Sequence, residues 1–222
     1  MTETPDCCPL CADKNTSHYF QDTIRDYWQC ANCKLVFVDD SQHVNETDEK
    51  LRYDQHKNSI NDEGYCAFLG HLLEPLSERL PDSAEGLDFG CGPGPTLNVM
   101  MAEAGWSMDI YDPFYYDNKI IFDRRYDFIT ATEVVEHIYQ PGTCLDRLWA
   151  MLNSGGTLAL MTKLVTDKQA FMGWHYKNDP THVCFYSQQT FNFLADRWQA
   201  EVEFVANDVI FLRKASSSAQ PI

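Results

Sequence analysis

Short apolar runs alternate with amphipathic segments over the last two thirds of the chain. Such runs between turn-forming residues are typical of buried strands, and amphipathic stretches with caps are typical of helices. The predicted strands are residues 86–89, 108–111, 128–131, 157–163, 202–206 and 209–213. The predicted helices are residues 95–104, 141–152 and 187–198, the last capped by Ser187. This alternation predicts an α/β fold with a parallel sheet, closed by a hairpin of the last two strands.

Two intervals in this pattern lack a full strand and helix. The segment from Asp112 to Asp127 is too short for helix, strand and helix, so we expect the third strand to be reduced to about residues 119–122. Asn153-Ser154-Gly155-Gly156 predicts a turn, and residues 165–186 predict a long connection rich in aromatic residues and histidines.

The first third of the chain follows a different pattern. An alternating apolar stretch at residues 35–38 closes a small N-terminal unit, and the polar residues 39–50 predict a linker. Apolar residues at helical spacing then predict a helix that ends before Pro81; they are Phe68, Leu69, Leu72, Leu73, Leu76 and Leu80. The predicted division is a small unit at 1–45, a main domain at 46–215 and a frayed tail at 216–222.

The composition narrows the range of partners. The formal net charge is −16 at pH 7, and such an acidic surface repels phosphate backbones, which disfavours nucleic acid. We therefore expect a small-molecule or protein partner. Apolar runs stay below the roughly 18 residues that span a bilayer, and Glu3, Asp6 and two cysteines stand where a signal peptide would be basic and apolar. We expect a cytoplasmic protein that does not enter a membrane.

Four of the nine cysteines form two C-x-x-C pairs. Cys8 and Cys11 are separated from Cys30 and Cys33 by residues 12–29, a spacing expected of a four-thiolate zinc site. The sequence therefore predicts an N-terminal zinc ribbon with a structural Zn²⁺. A reducible disulfide or unmetallated thiols are the alternatives.

The first strand of the α/β unit runs into a glycine-rich loop, Leu87-Asp88-Phe89-Gly90-Cys91-Gly92-Pro93-Gly94. Asp112 ends the next strand, about 20 residues after the loop, where a carboxylate can accept hydrogen bonds from both hydroxyls of a ribose. A dinucleotide fingerprint would read G-x-G-x-x-G, whereas this loop reads G-x-G-x-G, with Pro95 opening the next helix. Asp88 would repel a pyrophosphate but suits the ammonium of a methionine moiety. The loop therefore predicts a nucleoside cofactor other than a dinucleotide.

On these residues the chain resembles the class I S-adenosylmethionine-dependent methyltransferases, whose first motif reads acid-x-Gly-x-Gly-x-Gly. The resemblance implies a Rossmann-like sheet, S-adenosyl-L-methionine as cofactor, and the predicted helix after residue 53 as a lid over the pocket. The cofactor-binding residues that it implies are Asp88, Gly90, Gly92, Gly94, Asp112 and Glu133.

Candidate chemistry follows the fourth strand, in Glu133-Val134-Val135-Glu136-His137, with His182 on a later loop. Carboxylates and imidazoles at this spacing predict a mixed site for Mg²⁺, Mn²⁺ or Zn²⁺, which would lower the pKa of an attacking hydroxyl. The E-x-x-E-H segment and the later histidine resemble metal-dependent O-methyltransferases of ubiquinone biosynthesis and small-RNA 2′-O-methyltransferases. The candidate catalytic residues are His137, His182 and Glu133. The alternatives to a metal site are that His137 or His182 is a metal-free general base, or that these residues are structural.

We therefore expect a methyltransferase that acts on a hydroxyl group of a small molecule. Methylation of RNA or protein, with the ribbon as docking module, is the first alternative. The second is a binding protein without catalytic activity, in which the ribbon recruits a protein partner and the main domain senses the cofactor.

Overall fold

Two β-sheets and six α-helices form the protein in a computed structural model that describes residues 5–55 and 58–216. The strands are β1 Thr16–Gln21, β2 Asp26–Cys30, β3 Val36–Val38, β4 Glu85–Phe89, β5 Ser107–Tyr111, β6 Tyr126–Thr132, β7 Leu152–Met161, β8 Cys184–Phe185, β9 Glu201–Phe204 and β10 Val209–Arg213. The α-helices are α1 Glu46–Tyr53, α2 Glu63–Ser77, α3 Leu97–Glu103, α4 Pro141–Met151, α5 Lys168–Met172 and α6 Gln188–Trp198.

The larger sheet has six strands in the order β5-β4-β6-β7-β10-β9. The strands β5, β4, β6 and β7 are parallel, and β10 lies antiparallel between β7 and β9. This topology confirms the predicted α/β, Rossmann-like sheet and its terminal hairpin. Because parallel strands end at one edge of a sheet, the residues after β4, β5 and β6 meet there.

Apolar side chains cover both faces of this sheet. On one face Leu69, Leu72 and Leu76 of α2 are buried in a cluster with Phe128 and Phe211 of the sheet. A second cluster continues from the other face into the N-terminal unit. Its members include Leu87, Ile129, Leu158, Leu145, Tyr27, Phe37, Phe185 and Phe191.

The smaller sheet joins the N-terminal unit to the main domain. Its four antiparallel strands follow the order β1-β2-β3-β8, and β8 comes from the long connection after β7. Sequence analysis missed β8 because a strand of two residues has no readable periodicity. The cysteine-rich unit therefore shares backbone hydrogen bonds with the segment that carries His182.

Three local predictions were wrong. The predicted linker 39–50 contains a 3-10 turn, Asp40–Gln42, and the first part of α1. Asn45 caps α1, because its side chain accepts a hydrogen bond from the Asp48 amide at 3.0 Å. The expected third strand is the 3-10 helix Lys119–Asp123. The expected turn 153–156 lies within β7, which already begins at Leu152.

Residues 217–222 of the predicted tail lie outside the described part of the chain. Among the described residues, no helix combines the length and apolar character needed to cross a bilayer.

Candidate active site

A cavity of about 900 Å³ opens at the edge where the parallel strands end. Its volume is in the range of small-molecule and cofactor sites. Helices α1 and α2 contribute Tyr53, Tyr65 and Phe68 to its wall, consistent with the expected lid. Of the predicted site residues, the cavity is lined by Gly90, Gly92, Asp112, Glu133, His137 and His182.

The glycine loop and Asp112 form one hydrogen-bonded unit at this edge. Gly92 has a φ of +66°, a left-handed conformation that favours glycine, and its N–H donates to Asp112 Oδ2 at 3.0 Å. Asp112 Oδ1 accepts from the amides of Phe114 at 2.9 Å and Tyr115 at 3.2 Å. These bonds fix the carboxylate at the cavity wall, where its remaining lone pairs can accept from ribose hydroxyls.

Two predicted cofactor-binding residues, Asp88 and Gly94, do not line the cavity. Asp88 is buried behind the loop and accepts from Thr130 Oγ1 at 2.9 Å, and burial raises its pKa to about 6. Gly94 packs against the segment before α2: a Cβ there would lie 2.3 Å from the carbonyl oxygen of Asn58. Asp88 therefore contacts β6 and Gly94 contacts the segment before α2, and neither lines the cavity.

Glu133 follows β6 in a left-handed conformation, with a φ of +54°. Such strain in a residue other than glycine costs of order 1–3 kcal/mol and is typical of functional sites. Glu133 Oε2 accepts from the Tyr176 hydroxyl at 3.3 Å, and burial raises the Glu133 pKa to about 7. Within the described chain, the buried atoms Glu133 Oε1 and Thr132 Oγ1 have no hydrogen-bond partner, although both residues line the cavity. A ligand in the cavity would satisfy them.

His137 and His182 also line the cavity, and their rings meet edge to face with centroids 4.6 Å apart. His137 Nδ1 contacts the Thr181 carbonyl oxygen at 3.2 Å, and His182 Nδ1 contacts that of Tyr176 at 2.7 Å. Since a carbonyl only accepts, each Nδ1 carries a proton that it donates to its carbonyl. Burial lowers the His182 pKa to about 4, so this ring is neutral at pH 7.

Glu136 is fully buried and accepts from the Tyr176 hydroxyl at 2.6 Å and from Thr162 Oγ1 at 3.0 Å. Burial raises its pKa to about 8. One carboxylate oxygen lies 3.9 Å from His137 Nε2, and the ligand atoms of Glu136, His137 and His182 lie within 4.8 Å of one another. Glu133 is not part of this group, so the structure brings together three of the four predicted ligands.

The four predicted cysteine ligands converge. Their sulfur atoms lie within 4.8 Å of one another, with Cys8 and Cys33 at 3.5 Å and Cys11 and Cys30 at 3.5 Å. Tetrahedral zinc with bonds of about 2.3 Å separates its sulfur ligands by about 3.8 Å. The contact with Cys33 lowers the Cys8 pKa to about 6, which favours a thiolate. The donor set and spacing therefore fit one tetrahedral ion.

Two residues of the site, Tyr176 and Glu49, were not predicted from the sequence. Tyr176 touches both glutamates through its hydroxyl. Glu49 lines the cavity and accepts from the hydroxyls of Tyr53 at 2.8 Å and Tyr139 at 3.0 Å. The aromatic-rich connection was the available indication for Tyr176. Glu49 had none, because its helix has polar residues all along its sequence.

The sheet order, the glycine loop and the acid after the second parallel strand define a class I S-adenosylmethionine-dependent methyltransferase. The chain belongs to the methyltransferase-domain family, whose model matches residues 59–203. This confirms the family predicted from the glycine loop.

Two solved structures share the fold. One is a Methanococcus maripaludis protein described as an S-adenosyl-L-methionine-dependent methyltransferase, with TM-score 0.51 and 13% identity over 80% of this chain and 96% of that chain. The other is an O-methyltransferase family protein from Burkholderia thailandensis, with TM-score 0.50 and 9% identity over 77% of this chain and 64% of that chain. No curated protein matches the sequence.

Proposed function

We propose that this methyltransferase transfers the methyl group of S-adenosylmethionine to a hydroxyl group of a small molecule. One observation carries the proposal: the Gly92–Asp112 unit and two imidazoles whose Nδ1 atoms are held by backbone carbonyls line a single cavity. The unit suits a nucleoside cofactor, and the imidazoles suit an acceptor that must lose a proton.

Asp112, Glu133 and the glycine loop fit the cofactor. Asp112 has lone pairs for the ribose hydroxyls, and the unpartnered oxygen of Glu133 suits the ammonium of the methionine moiety. A Cβ on Gly92 would meet no protein atom within 4 Å, so the loop leaves open space beside the cavity. S-adenosylmethionine would supply a sulfonium-bound, electrophilic methyl group there.

In this proposal, His137 Nε2 would accept the proton of the acceptor hydroxyl. The Thr181 carbonyl holds this ring in the required tautomer. His182, whose pKa of about 4 makes it a weak base, would accept a hydrogen bond and orient the acceptor. The walls of the cavity hold the acceptor in line, and such positioning supplies much of the rate of a displacement reaction.

Metal assistance is the second mechanism that an observation favours. Glu136, His137 and His182 place their ligand atoms within 4.8 Å of one another, and carbonyl acceptors on both Nδ1 atoms are typical of metal-bound histidines. Mg²⁺ or Mn²⁺ there would lower the pKa of the acceptor hydroxyl. Against it, Glu136 already accepts two hydrogen bonds, and burial favours its neutral form.

For the cysteine cluster we propose a structural Zn²⁺ held by Cys8, Cys11, Cys30 and Cys33. The support is the fit of four sulfur atoms to one tetrahedral ion. The residues around the cluster form short strands, so a metal would replace a core that such a small unit cannot build alone.

Calorimetry with S-adenosylhomocysteine, the demethylated product, tests the cofactor assignment. We expect this compound to bind and NADH not to bind. The reverse result would overturn the assignment. Transfer of labelled methyl groups to a panel of catechols, sugars and other hydroxylated small molecules then tests the acceptor class.

A chelator distinguishes the metal-free mechanism from the metal-assisted one. A metal-free base predicts full turnover in EDTA and a loss of about 10²–10⁴-fold in kcat for His137→Asn, with unchanged affinity for S-adenosylhomocysteine. His71→Asn is the matched control, because His71 is exposed on α2. Loss of turnover in EDTA that Mg²⁺ or Mn²⁺ restores would favour the metal site.

A further inference from the structure

Arg25, the residue before β2 in the N-terminal unit, reaches into the main domain. Its guanidinium is buried, and the residue is 5% exposed. One terminal nitrogen donates to the carbonyl oxygens of Pro180 at 3.1 Å and His182 at 2.9 Å. The other donates to those of Asp179 at 3.0 Å and Lys177. One side chain therefore holds four carbonyls of a single loop, which we name the histidine loop, residues 176–183.

Two other carbonyls of the same loop orient the two imidazoles. In the histidine loop, Tyr176 O accepts from His182 Nδ1, and Thr181 O accepts from His137 Nδ1. The backbone that turns four carbonyls toward Arg25 thus turns two others toward the histidines. A rotation of the Asp179–Thr181 backbone would release both kinds of contact together.

The four carbonyls depend on Arg25 to different degrees. Lys177 O also accepts from the Tyr27 hydroxyl at 3.3 Å, and Asp179 O also accepts from the His182 amide at 3.2 Å. The buried His182 carbonyl would lose its Arg25 donor without regaining hydration, unless the loop moved. A guanidinium carries five N–H donors in a fixed plane and can span several acceptors, whereas the ammonium of lysine is a single point with three donors. The shape of the histidine loop therefore depends on arginine specifically.

Further contacts tie the histidine loop to the same unit. The Val38 amide donates to the Val183 carbonyl at 2.9 Å, and Lys177 Nζ lies 3.3 Å from Asp22 Oδ2. Strand β2, which Arg25 precedes, ends at Cys30 of the cysteine cluster. One strand therefore links the cysteine cluster to the residue that carries the guanidinium.

We infer that Arg25 is a positioning residue: it holds the histidine loop in the conformation that orients His137 and His182. The cysteine-rich unit is then a part of the active-site framework, in addition to any role in docking. The consequence for reaction rate rests on the proposed function, whereas the consequence for the loop does not.

Two variants test the inference in the full-length protein, Arg25→Lys and Arg25→Met. Hydrogen exchange read by mass spectrometry should show the amides of residues 176–183 exchanging about tenfold faster or more, since at least one buried hydrogen bond is lost. Imidazole ¹⁵N shifts should show a single Nδ1–H tautomer for His137 and His182 in wild type and a mixture in the variants. Once the panel assay has identified an acceptor, both variants should have a lower kcat than wild type and an unchanged affinity for S-adenosylhomocysteine.

Arg197→Lys is the matched control. Arg197 also joins the two parts of the protein, by donating to the Leu10 carbonyl at 3.3 Å and to Asp146, but it does not contact the histidine loop. Equal exchange rates in 176–183 and unchanged tautomers in folded Arg25→Lys would overturn the inference. So would an equal effect of Arg197→Lys, because it would show a general loosening of the N-terminal unit. If wild type fails to bind S-adenosylhomocysteine, the proposed function fails, and the exchange data still decide the inference.

Discussion

Gly92→Ala tests whether a cofactor lies against the glycine loop, because the substitution should change the free energy of unfolding only slightly and cofactor affinity strongly. Gly92 has a φ of +66°, and a Cβ built on it meets no protein atom within 4 Å. The substitution should therefore cost only the left-handed strain of alanine, about 1–2 kcal/mol, partly offset by the lower entropy of the unfolded chain. For a chain of this size, about 1 kcal/mol lowers the Tm by about 2–4 °C. The fold should survive.

The expected effect on binding is larger. Gly92 lines the cavity beside Asp112, so a cofactor whose ribose reaches Asp112 would meet the new methyl group. We expect the Kd for S-adenosylhomocysteine to rise at least about tenfold, which corresponds to about 1.4 kcal/mol. Calorimetry measures this change, and urea unfolding measures stability in the same preparations.

Gly105→Ala is the matched control. Gly105 also has a positive φ, +103°, and open space around its Cβ, but it lies between α3 and β5 and does not line the cavity. Gly105→Ala should lower the free energy of unfolding by a similar amount without changing the Kd for S-adenosylhomocysteine. If both variants bind S-adenosylhomocysteine as tightly as wild type does, the cofactor does not approach the loop at Gly92, and the placement argued above is refuted.

Three further predictions concern metal, pH and packing. Cys30→Ser should abolish the roughly one zinc per chain that metal analysis is expected to find, and stoichiometric zinc in the variant would contradict the four-cysteine assignment. Burial raises the Asp88 pKa from 3.8 to about 6, so between about pH 4 and 6 the folded protein keeps a proton that the unfolded chain releases. The contribution of Asp88 to stability should therefore fall as pH rises through this window. Asp88→Asn should remove that slope from urea unfolding curves, and an unchanged slope would show that other groups cause it. Phe171 is buried with its ring 5.1 Å from that of Tyr27 and 5.4 Å from that of Phe185. Phe171→Ala should lower the free energy of unfolding by about 3–5 kcal/mol, and a loss under about 1 kcal/mol would show that the two parts of the chain do not depend on this contact.

The candidate site was partly readable from the sequence because some of its chemistry is local. The glycine loop needs positive φ angles within a few residues, and an acid at the end of the next parallel strand reaches the same edge of any such sheet. Cysteine pairs three residues apart can converge on one ion with little help from the rest of the chain. These features therefore appear as short motifs.

The folded chain decided which of the candidates meet. Glu133 and Glu136 are three residues apart, yet only Glu136 joins the group with His137 and His182, while Glu133, in a left-handed conformation, contacts the Tyr176 hydroxyl. Asp88 belongs to the motif but is buried behind the cavity wall. Residue spacing does not determine such differences, which depend on backbone direction.

Hydrophobic periodicity and turn chemistry act over a few residues, so the α/β class, the order of most elements and the location of the glycine loop could be predicted from the sequence. Tertiary structure decided the loss of the third strand, the pairing of β3 with β8 and the orientation of both histidines. The guanidinium of Arg25 holds carbonyls more than 150 residues away in the chain, at Lys177 and Pro180. No local pattern encodes a contact of that kind, because its free energy exists only once both segments are buried together.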